Sequence, residues 1–393
     1  MRILVVSPFA THPRNQGNSA RIHSLCKCLQ ALGHLVHFLY YPMEGLTDRQ
    51  RDQMTACWDE FHSTPCELST SPPEPGKLHR IDDWYDPALG KFARDLHRRW
   101  QFDAVIVNYV WMSALLESLP DDVHKIIDTH DVFGDRHKAF LDAGLTPEWF
   151  YTSPAEEGRG LRRAHVVIAI QHQEAATLRS RLEGTSTRVT TIGHAGPARF
   201  APVRPAAARL VVGYLGSGNP FNTSSVRQFA AEIASRPDLA RKYRFVLAGT
   251  ICSRFTLAPA PFEMMGMVDD VHDFYSQVDI VVNPMAGGTG LKIKTLEGLS
   301  FGLPVLGTND AWLGISTPDE VWPTPEAPPI VDALRCIAAD ATLLDTLRSR
   351  CRTVYMRYLH DELAAIAALF PNSRVGAQMP SCSPISSPPP TSR

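Results

Sequence analysis

The chain has 393 residues, 44% of them hydrophobic and 20% charged, with 39 Lys and Arg against 41 Asp and Glu. At roughly 100–200 residues per domain, this length predicts two or three domains, and the composition excludes wholesale disorder, a fibrous protein and a small disulfide-stapled fold. A formal charge of -2 carries no bulk attraction to nucleic acid or anionic lipid, so no nucleic-acid partner is expected and any ligand must be recognised locally.

The opening Met1-Arg2-Ile3-Leu4-Val5-Val6-Ser7-Pro8 has strand length and lacks a long apolar stretch with a small-residue cleavage site, which predicts a buried first strand and a cytoplasmic protein. No apolar run approaches the roughly 20 residues of a membrane span, so peripheral contact at the inner face of a membrane is the only membrane role left open. Short β-branched runs then alternate with segments of helical period, the pattern of βα units on a parallel sheet. Strands are predicted near 3–7, 36–40, 104–108, 125–128, 166–170 and 189–192, with a first helix over Asn18 to Leu32 that aligns Ile22, Leu25, Leu29 and Leu32. Asn18 or Ser19 is its expected N-cap, and Gly33 closes it. Pro72, Pro73 and Pro75 mark an exposed excursion at Ser69 to Gly76.

Ala201 to Pro205 has linker composition, and the alternation restarts beyond it. Strands are predicted near 210–215, 245–248, 263–267, 280–283 and 304–306, with helices near Thr223 to Ala234 and Thr289 to Phe301. The expected organisation is one domain over 1–200, a second over 206–345, helices over 345–370 and a disordered tail over 371–393. The fold class is α/β, two Rossmann-like domains facing across a cleft, because open α/β sheets bind ligands at the carboxyl ends of their strands.

The eight cysteines are scattered, and Cys26-Lys27-Cys28 lies within a helical pattern with no second pair at zinc-ligand spacing. Reduced thiols and no metal site are expected. Asp269-Asp270-Val271-His272-Asp273 reads as an acid-rich helix start rather than a metal site.

Residues 283–305 carry the densest chemistry. Asn283 ends a strand, Gly287, Gly288 and Gly290 make a glycine-rich turn, and a helix follows, which presents unpaired N–H groups and a positive dipole end to an anion. Lys292 falls in the predicted first turn, and Lys294 and Glu297, three apart, share a face. A diphosphate needs the cations and N–H groups; a ribose needs a carboxylate such as Glu297. The plain alternative is a surface ion pair beside an ordinary turn. In the first domain, Gly17 and Asn18 follow the first strand, and Arg21 either reaches an anionic acceptor or is solvated. His130 and Asp131 leave the strand ending at Asp128, where α/β clefts do chemistry, although Asp131 and Arg136 also suit a local ion pair. The clusters Trp84-Tyr85, Tyr109 to Trp111 and Trp149 to Tyr151 suit core packing better than acceptor stacking.

Gly288-Thr289-Gly290-Leu291-Lys292-Ile293-Lys294-Thr295-Leu296-Glu297, followed by Gly302-Leu303-Pro304-Val305, resembles the donor-binding signature of the retaining GT-B glycosyltransferases of family 4. The resemblance extends to Val211–Gly218, Phe245–Gly249 and Val278–Pro284, and covers most of residues 1–370. It implies GT-B architecture, with the last helices packing back toward the first domain, and transfer of a sugar from a nucleoside diphosphate sugar to a hydroxyl acceptor with retention. It implies a donor site of Gly216, Ser217, Gly288, Thr289, Gly290, Leu291 and Glu297, catalytic roles for His130, Lys292 and Lys294, and an acceptor side at Gly17, Asn18, Arg21 and Asp131. No cofactor or metal is implied beyond the nucleotide-sugar co-substrate. Family members often carry a Glu eight residues before Glu297, where this chain has Thr289, and many carry an Arg and a Lys near Gly216-Ser217-Gly218-Asn219, where it has neither. The alternatives are a GT-B nucleotide-sugar hydrolase or epimerase and a non-catalytic nucleotide-sugar scaffold. A nicotinamide oxidoreductase is disfavoured because no complete G-x-G-x-x-G follows the first strand.

Overall fold

A computed structural model describes residues 1–14, 16–67, 70, 73, 77–200, 202 and 209–371. The expected linker and proline-rich excursion lie almost wholly outside the described residues, as does the expected tail beyond 371.

The first sheet is parallel throughout, in the order β3-β2-β1-β4-β5-β6-β7. Its strands are β1 (Arg2–Ser7), β2 (Leu35–Tyr40), β3 (Glu60–Ser63), β4 (Ala104–Asn108), β5 (His124–Asp128), β6 (Val166–Ala169) and β7 (Arg188–Thr191). Val5 pairs with Phe38 on one side and Ile106 on the other, and all three are buried. Helices cover both faces of such a sheet, which is why its central strands read as continuous apolar runs. β3 was not anticipated: Glu60-Phe61-His62-Ser63 is short, polar at three of its four positions and half-buried, as suits an edge strand.

The second sheet has the order β10-β9-β8-β11-β12, formed by β8 (Leu210–Leu215), β9 (Tyr243–Ala248), β10 (Phe262–Gly266), β11 (Ile280–Asn283) and β12 (Val305–Gly307). Strand order reverses at β1/β4 in one sheet and at β8/β11 in the other, and ligand crevices open at such switch points. The helix Ala341–Leu369 spans both domains. Val354, Tyr355 and Tyr358 pack in the second domain, whereas Ile366 and Phe370 complete the core of the first. The same helix grips the segment crossing between the domains: Glu362 Oε2 accepts from Gly193 N–H at 2.5 Å, and Tyr358 Oη accepts from His194 N–H at 2.8 Å. Among the described residues, no helix is long and apolar enough to cross a membrane.

The first helix runs Gly17–Ala31 with Gln16, not Asn18 or Ser19, at its N-cap. Ser19 instead donates its hydroxyl to Ala10 O, fastening the helix to the loop after β1. Arg21 overturns its expected place on the acceptor side. Its side chain is 2% exposed, and its guanidinium donates to Asp128 Oδ1 at 2.7 Å and to the carbonyls of Ile192 and Gly193. The physical reason is Asp128, fully buried at the end of β5, which needs a cation inside the domain.

Removing one partner of a buried ion pair leaves the other charge uncompensated, at a cost of about 3–5 kcal/mol. Arg21→Met should therefore lose stability of that order in chemical denaturation, and a variant as stable as the parent would contradict a structural role for this pair.

Candidate active site

A solvent-open cavity of about 210 Å³ lies between the domains at the carboxyl ends of β8 and β11. Gln16 and Gly17 form its first-domain wall. A Cβ on Gly17 would stand 3.4 Å from the Ile293 side chain, so the first turns of helices Gly17–Ala31 and Ile293–Ser300 abut. Neither helix has a side-chain cap. Two positive dipole ends thus converge where an anion would be stabilised.

The glycine-rich stretch is a loop rather than the start of a helix. Gly287, Gly288 and Gly290 adopt φ of 73°, 80° and 75°, which holds residues 284–292 outside helical conformation and moves the helix start to Ile293. Lys292 becomes the N-cap residue, and its ammonium donates to the carbonyls of Gly288, Thr289 and Gly290 at 3.0–3.3 Å. Expected as a diphosphate cation, Lys292 instead spends its hydrogen bonds holding the loop, although its side chain contributes to the cavity wall. Two first-domain carboxylates clamp the loop from across the cleft. Glu174 Oε1 accepts from Gly290 N–H at 2.8 Å, and Asp131 Oδ2 accepts from the Thr289 hydroxyl at 3.0 Å while pairing with Arg136 at 3.2 Å. Burial, with Asp131 nearby, pushes the Glu174 carboxyl well above the usual carboxylate range.

Lys294 and Glu297 share a helix face but do not pair with each other. The Lys294 ammonium donates to Tyr214 Oη at 2.7 Å and to Asn222 Oδ1 at 2.5 Å, and lies 4.6 Å from the Tyr214 ring centre. Burial, then the neighbouring charge of Lys292, brings its pKa down to about 7. Asn222 Nδ2 donates to Ser217 O at 2.9 Å, linking this ammonium to the turn after β8. Glu297 accepts from Tyr275 Oη at 3.1 Å, and burial raises its carboxyl to about 7 against the pull of that bond and of Arg199 and Lys294.

The structure brings Gly17, Gly216, Ser217, Thr289, Leu291, Lys292, Lys294 and Glu297 to one cavity wall. Gly288 and Gly290 sit in the loop behind it, and Asn18 accepts from the N–H of its own neighbour Ser19. His130 is not on the wall. Held at φ 61°, it donates from Nε2 to Asn108 Oδ1 at 2.8 Å and stacks on Tyr109 at 4.2 Å, and burial keeps its imidazole neutral, with a pKa of about 4. Gln16, Asn222, Tyr214 and Tyr275 were not anticipated as site residues. Asn219-Pro220 did carry a helix-start signature, fulfilled when Asn219 caps helix Pro220–Ala234, but nothing in the letters aimed Asn222 at Lys294. Of the aromatic clusters, Trp84, Trp111 and Phe150 are core, whereas Trp149 keeps 39% of its surface exposed.

Residues 16–195 match the family model of the glycosyl transferase 4-like domain, and residues 209–320 match that of the glycosyl transferases group 1. No curated protein matches the sequence. Among solved structures, sucrose-phosphate synthase of Thermosynechococcus elongatus is similar with a TM-score of 0.66 at 16% identity, covering 94% of this chain and 98% of that one. A variant of S. aureus TarM in complex with fondaparinux, alpha-GlcNAc-glycerol and UDP gives 0.66 at 10% identity, with 94% and 100% covered. Anabaena HepE in complex with UDP and glucose gives 0.62 at 13% identity, with 94% and 98% covered. These likenesses establish the fold, two parallel-sheet α/β domains in the GT-B arrangement.

A carboxyl whose folded pKa lies above its unfolded value stabilises the fold fully below the unfolded pKa, and the contribution is lost as pH rises through the folded one. For Glu297 that window runs from 4.5 to about 7. Each pKa unit corresponds to about 1.4 kcal/mol, and solvent in the cavity screens this half-buried group, so the loss is of order 1–2 kcal/mol. Urea denaturation of the ligand-free protein across this range should show that decline, and Glu297→Gln should flatten it.

Proposed function

Because residues 16–195 match a glycosyl transferase 4-like domain and residues 209–320 a glycosyl transferases group 1 domain, we propose that the protein is a glycosyltransferase. It transfers a sugar from a nucleoside diphosphate sugar to a hydroxyl acceptor with retention of anomeric configuration. The observation that carries this is the meeting of two uncapped helix N-termini, the Lys294 ammonium and the Glu297 carboxyl in one interdomain cavity. Diphosphate and ribose need those two kinds of group side by side.

The diphosphate sits against the first turn of Ile293–Ser300, with Lys294 as its cation and the N–H of Ser217, in the turn after β8, assisting. The ribose hydroxyls donate to Glu297. As the glycosidic bond to phosphate lengthens, negative charge grows on the departing diphosphate, and the oriented dipoles and Lys294 stabilise that charge without reorganising. The same diphosphate accepts the proton of the incoming hydroxyl on the face it leaves, so the sugar keeps its configuration and no carboxylate nucleophile is required. Thr289 faces the sugar from the cavity wall, in a loop held by Lys292 through the carbonyls of Gly288, Thr289 and Gly290. His130 works from beneath the wall as a neutral imidazole, setting the backbone that meets Gly290, whose Cβ position is 3.7 Å from His130 O. The acceptor approaches from the side of Gly17 and Asn18. Transfer needs neither a cofactor nor a metal, because Lys294 and the helix ends supply the positive charge.

UDP and UDP-sugars head the donor panel, since the HepE and TarM structures hold UDP. At a hundredfold excess over Kd, a ligand that binds only the folded state adds about 2.7 kcal/mol of apparent stability. One nucleotide sugar should raise Tm of the wild type and not of Glu297→Ala; a folded protein that no nucleotide stabilises would remove the transferase assignment. Lys294→Met should cut kcat by about 10²–10³ while melting like the parent, with product anomer followed by NMR.

Lys294, at about 7, must take up a proton to meet a diphosphate at higher pH. Donor affinity should thus weaken toward about tenfold per unit above pH 7. Calorimetry in buffers of different ionisation enthalpy would show the proton uptake, and Lys294→Met should abolish it.

A further inference from the structure

We propose that His12, His23 and Cys57 form a binding site for a thiophilic transition-metal ion, zinc, held by two imidazoles and one thiolate. The three residues come from three elements: the loop after β1, the second turn of helix Gly17–Ala31, and the last residue of helix Asp48–Cys57. One ligand atom from each lies within 4.8 Å of the others, and Cys57 Sγ stands 3.8 Å from His23 Nε2. Zinc takes nitrogen at about 2.0–2.1 Å and sulfur at about 2.3 Å, which places ligand atoms roughly 3.5 Å apart, so the cluster needs only a small contraction. Among the described residues, this is the group of His, Cys, Asp and Glu side chains with that geometry.

The surroundings hold the ligands in place. The imidazole rings of His12 and His23 stand edge to face at 5.2 Å, and Trp58 packs against both. Thr11 Oγ1 lies 3.1 Å from His12 Nδ1 and accepts from Trp58 Nε1 at 3.2 Å, so His12 is fixed through Nδ1 and presents Nε2. An outer partner of this kind orients a metal-binding imidazole. All three side chains are half-buried and reachable by a solvated ion. A sulfur donor and two imidazoles select zinc or copper(I) over magnesium or calcium, and three protein ligands leave a fourth position for water. The site is separate from the transfer cavity, but His12 shares its loop with Gln16 and His23 shares its helix with Gly17, both cavity residues. A bound ion would pin the acceptor-side loop to two helices.

The test uses the full chain after chelator treatment, titrated with Zn²⁺ against a chromophoric competitor and with Co²⁺ as a spectroscopic probe. The expected result is one equivalent bound, a thiolate-to-cobalt charge-transfer band, and loss of that band in Cys57→Ser. Zinc affinity should fall by at least roughly tenfold in Cys57→Ser and in His23→Ala, since even an outer-partner change costs that much. Alkylation of the wild type, read by peptide mass spectrometry, checks the site without any variant: zinc should protect Cys57 and leave the other cysteines as reactive as before. An unchanged Cys57 alkylation rate, or equal zinc binding by Cys57→Ser, overturns the proposal. Neither readout depends on sugar transfer, so the site and the proposed function stand or fall separately.

Discussion

The buried pair of Arg21 and Asp128 is the constraint from which the cleft side of the first domain follows. Asp128 closes β5 with no surface exposed to water, and an uncompensated carboxylate there would cost several kcal/mol. Arg21 supplies the compensation from the helix that begins at the cavity, and its remaining bonds hold the carbonyls of Ile192 and Gly193 where the chain leaves the domain. One guanidinium thereby ties helix, sheet and interdomain crossing. The residues just past Asp128 inherit that geometry: His130 turns onto Asn108, and Asp131 faces across the cleft to Thr289.

Across the cleft, charge is divided between inward and outward tasks. Lys292 points into its own loop and offsets three carbonyls, which lets glycines in left-handed conformations hold a fixed shape. Lys294 and Glu297 face the cavity, each drawn toward neutrality by burial. Their hydrogen-bond partners, Tyr214, Asn222 and Tyr275, bear no opposite charge, and a ligand carrying phosphate and hydroxyl groups would supply what each lacks. Such a site is costly to keep and selective for what fills it.

The alternation of apolar runs and helical periods made both sheets legible, because strands buried on two faces leave no ambiguity of pattern. β3 escaped because an edge strand of Glu, Phe, His and Ser carries neither strong alternation nor an apolar run. The glycine loop and the Lys294–Glu297 face were readable as local spacing. Arg21 was misplaced because its partner lies 107 residues away, and the bond by which Glu174 clamps the glycine loop joins it to Gly290, 116 residues distant. His12, His23 and Cys57 likewise show no motif spacing, since three separate elements deliver them. What local pattern cannot carry is the meeting of side chains across the fold.

The helix Ala341–Leu369 sets an order of events during synthesis. Ile366 and Phe370 belong to the core around β1, a strand synthesised long before either of them. The amino-terminal domain thus waits, with part of its apolar interior uncovered, until almost the whole described chain has been made. Domains usually fold as units from the amino terminus onward, and exposed core surface invites aggregation. In this chain the earlier-made of the two domains is finished no sooner than the later one, so the second domain assembles beside an incomplete neighbour, and a single closing helix seals both.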